Sequence, residues 1–134
     1  MAGTRGVGKH GFVRKHGLLT EAQQEAGQRS AALIEQHGIR TVRMIWVDQH
    51  GAPRGKFMSA PDYLASPENG IDFSAALLSM DSANNVFTPL FAEGGGVDIP
   101  ELTGFPDMVL VPDTGTFRIL PWADRTAWML RAPG

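Results

Sequence analysis

Hydrophobic and polar positions along the chain first predict a helix over residues 20–37. Thr20-Glu21-Ala22-Gln23 fits a capping box, in which the Thr hydroxyl and the Gln side chain satisfy first-turn backbone donors. Ala22, Ala26, Leu33 and His37 fall near one face with Ile34 beside them, a thin apolar stripe that suits packing on one side. Gly38 is a natural residue just past the helix end. Thr41 to Asp48 (TVRMIWVD) is β-branched and aromatic and reads as a strand. Val42, Met44 and Trp46 share one face, while Ile45 and Val47 make the other face apolar too, as in a central strand. A turn at His50-Gly51 leads to a partner strand over 53–59, with Gly55 and Phe57 on one face and Arg54 and Lys56 on the other.

Pro61 suits the first turn of a short helix through Leu64, ended by Ser66-Pro67 and Asn69-Gly70. Ile71 to Met80 reads as a third strand, although Ala75-Ala76-Leu77-Leu78 has helical propensity. Residues 82–106 look irregular and long for so small a domain, a feature usual in functional or mobile loops. Met108–Val111 and Thr116–Leu120 are further strands joined by a turn at Pro112-Asp113-Thr114-Gly115, and Thr126–Arg131 is the last. This order predicts an α+β fold with one mixed sheet over 41–131 packed by helix, a single domain. Trp46, Phe57, Leu77, Val109, Ile119 and Leu130 are the expected core.

Composition narrows the function. The chain has 134 residues and a net charge of −2, with no cysteine. Disulfides, thiolate metal sites and cysteine catalysis are therefore excluded. Residues 1–18 carry Arg5, Lys9, Arg14 and Lys15 and no acid, whereas residues 19–134 carry a net charge of −6. Residues 1–18 are expected to be a flexible, disordered basic arm, and 19–134 the folded domain. The acidic body argues against a nucleic-acid partner. No apolar run approaches the roughly 20 residues that cross a bilayer, and the start lacks an apolar signal segment, so no membrane and a cytoplasmic location are expected.

Chemical motifs are sparse. Gly94-Gly95-Gly96 lacks the Gly-Lys-Ser/Thr of a phosphate loop and follows a loop rather than a strand. His10, His16, His37 and His50 form no helical pair and have no Cys or close Glu to complete a metal set, so no metal site is expected. There is no Gly-x-Ser-x-Gly elbow. Asp72, Asp81, Asp98, Asp107 and Asp113 are each, taken alone, strand-end or loop acids in water.

Three segments in order point further: Asp48-x-x-Gly51-x-x-Arg54-Gly55-Lys56 after a strand, Met80-Asp81-Ser82 after another, and Pro112-Asp113-Thr114-Gly115-Thr116 leading to Leu120-Pro121-Trp122. With Ala123-Asp124-x-Thr126-Ala127 following, the chain over about residues 28–132 resembles the N-terminal β-grasp domain of the glutamine synthetase family. The resemblance implies a β-grasp-like sheet and a part in ATP-dependent joining of an amine (ammonia or a polyamine) to the γ-carboxyl of glutamate, through a γ-glutamyl phosphate. It implies that ATP and magnesium are held by a catalytic domain outside this chain, that this chain alone binds no cofactor and is inactive, and that its partner is that domain within a homo-oligomer. The family's acid at the ammonium site falls on Asp81, with Ser82-Ala83-Asn84 in place of Gly-Ser-Ser. The resemblance thus makes Asp81 the catalytic and amine-binding acid and Asn84 a polar substitute beside it. Within the family this hairpin is mainly structural, and Gly55 fits a close backbone approach. A free-standing, non-catalytic β-grasp binding or assembly module is the alternative.

Overall fold

A computed structural model describes residues 11–89, 91–93, 95 and 97–132. The elements are α1 (Phe12–Lys15), α2 (Glu21–His37), β1 (Thr41–Val47), β2 (Pro53–Ser59), α3 (Ala60–Asn69), β3 (Ile71–Ser74), β4 (Asp107–Leu110), β5 (Pro112–Ile119) and β6 (Thr126–Arg131), with short 3-10 helices at Ala75–Ser79 and Pro100–Leu102. The fold is α+β. Its main sheet is mixed and β-grasp-like, in the order β2-β1-β6-β5, with β1 parallel to β6 and β5 antiparallel to it. The chain forms two compact units. One comprises the described residues up to Ile45, Gly55–Ile71 and those from Val111 on; the other comprises Trp46–Arg54 and Asp72–Leu110.

In the first unit, α2 begins as the sequence predicts. The Thr20 hydroxyl accepts from the Gln23 backbone N–H at 3.2 Å, and Gln23 Oε1 accepts from the Thr20 N–H at 2.9 Å. Gly38 closes the helix at φ 60°, the left-handed conformation that glycine takes at little cost. Helix α2 packs on β5 and α3. Between them Tyr63 is buried, its hydroxyl 2.7 Å from Ser30 Oγ and its ring 5.3 Å from that of Phe117. A buried phenol needs such a partner, and burial pushes its pKa up.

Several expectations are corrected here. Residues 1–10 of the expected basic arm lie outside the described residues. Within the remainder of the arm, Phe12–Lys15 is helical and packs on α3, and Val13 is buried. One apolar side chain anchors that turn, and Gly11 lets its backbone approach α3 so closely that a methyl group would collide with the Glu68 carbonyl. Helix α3 does not stop at Ser66-Pro67; Pro67 lies inside it. Proline has no N–H for the Tyr63 carbonyl four residues back. Ser66 Oγ donates to that carbonyl instead, at 2.7 Å, and Gly70 N–H continues the ladder to Ser66 O at 2.8 Å. The Pro112-Asp113-Thr114-Gly115 segment is not a turn between strands but the start of β5, irregular in register between Asp113 and Arg118. Its turn chemistry makes a bulge: Asp113 Oδ1 accepts from Gly115 N–H, and Thr116 Oγ1 both donates to Asp113 O and accepts from Leu130 N–H.

Part of the expected core is also on the wrong face. In register, Val42 opposes Ala127 and Met44 opposes Met129, and these four side chains are fully buried. Arg43 opposes Trp128 and Ile45 opposes Leu130 on the other face. Phe57 is 70% exposed under the Arg43 guanidinium, 5.2 Å from its ring centre, and Leu130 is 42% exposed. Trp46, Leu77, Val109 and Ile119 are only half-buried. Strands that are apolar on both faces carry no phase of their own, and the face that the helices cover becomes the core. Gly55 is not a close-approach position, since an added methyl would meet Met44 O at an ordinary 3.6 Å.

In the second unit, the expected strand 71–80 ends at Ser74 and continues as the 3-10 helix Ala75–Ser79. β3 pairs with β4 in a separate two-stranded sheet, so the strands do not form the single sheet expected. Ser74 Oγ caps that helix by accepting from Ala76 N–H, which lets the helical propensity of the Ala-Ala-Leu-Leu run prevail. The described residues between 82 and 106 are largely irregular, with Phe105 buried among them.

Met129→Ala is expected to cost about 2–5 kcal/mol, the range for emptying a buried methionine site. Phe57→Ala, which removes an exposed ring and one exposed cation–π contact, is expected to cost no more than about 1 kcal/mol. Urea denaturation of both variants checks the order. Equal losses would put the core on the other face.

Candidate functional site

The second unit contains two turns built alike. In Asp48-Gln49-His50-Gly51-Ala52, Asp48 Oδ1 accepts from the N–H groups of His50 and Ala52, each at 2.9 Å. Asp48 N–H donates to Ala52 O at 2.9 Å, and Gly51 N–H donates to Asp48 O at 3.0 Å. In Asp81-Ser82-Ala83-Asn84-Asn85, Asp81 Oδ1 accepts from the N–H groups of Ala83 and Asn85, each at 2.9 Å. Asp81 N–H donates to Asn85 O at 2.9 Å, and Asn84 N–H donates to Asp81 O at 3.0 Å. The fourth residue has positive φ in both, 78° at Gly51 and 63° at Asn84. An aspartate that bonds the backbone two residues on, followed by a residue tolerant of left-handed φ, is the chemistry such turns require.

The turns differ at the second carboxylate oxygen. Asp48 Oδ2 accepts from Arg54 Nε at 2.8 Å, an ion pair whose carboxylate side is 1% exposed. Burial pushes the Asp48 carboxyl up, but the Ala52 and His50 N–H groups and the Arg54 guanidinium outweigh it and hold the group below its usual range. At Asp81, Oδ2 accepts from the Asn85 side-chain amide at a long 3.5 Å. Its carboxyl is also held below the usual range. The Asn85 N–H is the largest cause, set against the upward push of burial and helped by the Ala83 N–H, the Asn85 side chain and His50. Asp81 is therefore an ionised carboxylate with one oxygen anchored in the backbone and the other weakly engaged. Chemically, it can hold a cation.

Side chains of the first turn reach the second. Arg54 Nη2 donates to Asn84 Oδ1 at 2.5 Å. His50 Nε2 lies 2.8 Å from Met80 O, and Gln49 Nε2 donates to Leu77 O at 3.1 Å. Met80 bridges Val86 across the base of the Asp81 turn, and Phe87 N–H donates to Ser79 O. Of the residues singled out in sequence, Asp81, Asn84 and Arg54 come together here, whereas Lys56 lies exposed further along β2. Sequence reasoning missed Asp48, Gln49 and His50 as parts of the same site. The signal was present, in the repetition of an aspartate followed three residues later by Gly or Asn.

Among the described residues no group of three His, Cys, Asp or Glu could hold a metal ion. Among the described residues no helix is long and apolar enough to cross a membrane. A cleft of about 440 Å³ in the first unit is lined by Val13, Leu19, Ala31, Tyr63, Leu64 and Pro67, with the exposed Arg14–Glu68 ion pair, at 3.1 Å, at its edge. It includes none of the residues of the two turns.

No family model matches the chain. Individual relatives do. A γ-glutamylanilide synthase of an Acinetobacter species is 40% identical over 122 residues, which is 89% of this chain and 24% of the relative. A glutamate–isopropylamine ligase of a Pseudomonas species is 36% identical over 72% of this chain and 20% of the relative. The type-1 glutamine synthetase 2 of Dictyostelium discoideum is 30% identical over 60% of this chain and 14% of its own length. Solved structures of GmaS without ligand and in complex with ADP share the fold, with TM-scores of 0.52 and 0.51 at 19% and 22% identity. Each of those matches covers 75% of this chain, and 20% and 19% of the solved chain, respectively. The chain spans less than a quarter of the length of these relatives, and by these similarities it belongs to the glutamine synthetase family.

Proposed function

We propose that this chain is the N-terminal portion of an ATP-dependent ligase that joins an amine to the γ-carboxyl of glutamate, and that Asp81 is its amine-site acid. The observation that carries the reading is the Asp81 carboxylate. It is held below the usual carboxylate range, is fixed through Oδ1, and, among the described residues, lacks the arginine that Asp48 has on Oδ2. In this reading the substrate ammonium takes the place that Arg54 takes at Asp48. Oδ2 holds the cation and accepts its proton, and the nitrogen lone pair then attacks the γ-carbonyl carbon of glutamyl phosphate. The C–N bond forms as the C–O bond to phosphate breaks, and phosphate leaves with the second proton that the amide nitrogen sheds. A carboxylate held below its usual range is a stronger cation holder than base, so charge stabilisation is its larger contribution. ATP, magnesium and the glutamyl phosphate are held outside this chain, by the catalytic domain of a neighbouring subunit in a homo-oligomer, and the chain alone is inactive.

The acceptor is an amine with an apolar substituent. The two relatives of highest identity reported above are named for an anilide and for isopropylamine. In this chain the segment after Asp81 exposes Phe87 (59%) and Phe91 (83%), large apolar side chains that such a substituent could cover.

Asp81→Asn is expected to keep the fold, because the amide oxygen can still accept from Ala83 and Asn85, and to remove the charge. With the chain joined to the catalytic segment of its family, amide formation should fall ~10²–10⁴-fold while glutamyl phosphate formation suffers less. Rates with isopropylamine, aniline and ammonium, together with melting temperatures, check this. Full activity with every acceptor would end the assignment.

The depressed carboxyl sets a pH expectation. A group whose folded pKa is lowered stabilises its turn fully above its unfolded value, about 3.9, and loses that contribution as pH falls through the folded value. The Asp81 and Asp48 turns should therefore hold through the neutral range and open only in acid. An NMR titration of the two carboxyl carbons measures it; a midpoint above the unfolded value at either residue would contradict the geometry.

A further inference from the structure

We infer that Arg54 is a positioning residue of the amine site, fixing the Asp81 turn through Asn84. This rests on the reading of Asp81 as the acid of that site. Arg54 spans the twin turns with two different nitrogens: Nε on Asp48 Oδ2 at 2.8 Å and Nη2 on Asn84 Oδ1 at 2.5 Å. Asp48 is itself locked to the hairpin by the N–H groups of His50 and Ala52. The guanidinium is thus anchored at its inner end and free to fix something at its outer end, and what it fixes is the turn that carries Asp81.

Asn84 supplies the second half of the argument. Its position has φ 63°, and the equivalent position in the other turn is glycine, which adopts such a conformation without strain. Asparagine tolerates it less well, and what it adds over glycine is a side-chain acceptor. That acceptor is engaged by Arg54. Asn84 therefore serves the amine site as the handle by which the turn is held, rather than as a direct ligand through Oδ1. Lysine in place of Arg54 keeps the charge but has a single nitrogen, which does not reproduce a guanidinium bridging two acceptors in fixed geometry.

The two ends of the bridge are tested separately with Arg54→Lys, Asn84→Gly and the double variant. Asn84 is exposed and glycine suits its φ, so Asn84→Gly stays folded even if a change at Arg54, beside a buried carboxylate, does not. Amide hydrogen exchange on the chain itself should quicken at Ala83 and Asn85 in each single variant. The double variant should show little more than either at these two amides, because both remove the shared Arg54–Asn84 contact. In the ligase formed with the catalytic segment, each variant should raise KM for isopropylamine about 10–100-fold, the scale of a misplaced binding group, with KM for glutamate unchanged. Unaltered exchange at Ala83 and Asn85 in Asn84→Gly would overturn the bridge. Faster exchange with an unchanged amine KM would leave Arg54 a brace of the hairpin and overturn its role at the amine site. A ligase that forms no amide with any acceptor, wild type included, would end both the proposed function and that role, while exchange would still decide whether the bridge exists.

Discussion

A carboxylate removed from water constrains the second unit more than any other single group. Asp48 is charged and almost wholly covered, and a buried charge persists only where hydrogen bonds and an opposite charge replace its hydration. Three donors do so here: two backbone N–H groups of its own turn and the Arg54 guanidinium. Meeting that requirement sets the turn after β1 and aims Arg54 at the neighbouring turn. The hairpin is thereby structural and also directional, because the cation that neutralises Asp48 has a second nitrogen to offer.

The twin turns show one local solution with two different surroundings. Both close five residues around an aspartate whose Oδ1 takes the N–H groups two and four positions on. In one, the remaining oxygen is satisfied within the protein. In the other, among the described residues, it has a long contact with an amide, and the carboxyl is held below its usual range by backbone N–H groups and the nearby His50. An ionised group left with unused acceptor capacity is what binding of an ammonium ion needs. Arg54, meanwhile, is committed to Asp48 and Asn84.

Part of this site was legible in the residues. Asp81 and Asn84 stood out through the family resemblance, and Arg54 through its motif. What stayed hidden was the relation between them, thirty residues apart in the chain and joined by one hydrogen bond. His50 looked like an ordinary turn histidine because nothing local shows that its ring would reach Met80 O. Long-range side-chain contacts have no signature in periodicity, whereas turn chemistry does, and the Asp-x-x-Gly and Asp-x-x-Asn spacings were there to be compared.

By itself the sequence determined the elements whose causes are local: the Thr20–Gln23 capping box, the Gly38 helix end, the positions of β1, β2 and β6, and the α+β class. It also determined the two aspartate turns, since each closes on its own backbone. Tertiary structure decided what local signals leave degenerate. Strands apolar on both faces did not say that Met44 and Met129 would be buried and Phe57 and Leu130 exposed; the helix-covered face did. The Pro112-Asp113-Thr114-Gly115 turn signals became a bulge because β5 already had a partner in β6, and pairing outweighed the local bend. Pro67 failed to stop α3 because Ser66 could take over the Tyr63 carbonyl inside a packed helix. At the core faces and at β5 the sequence offered two conformations of similar local cost, and the contacts that separated them came from residues distant in the chain; at Pro67 a neighbouring side chain did so within the helix.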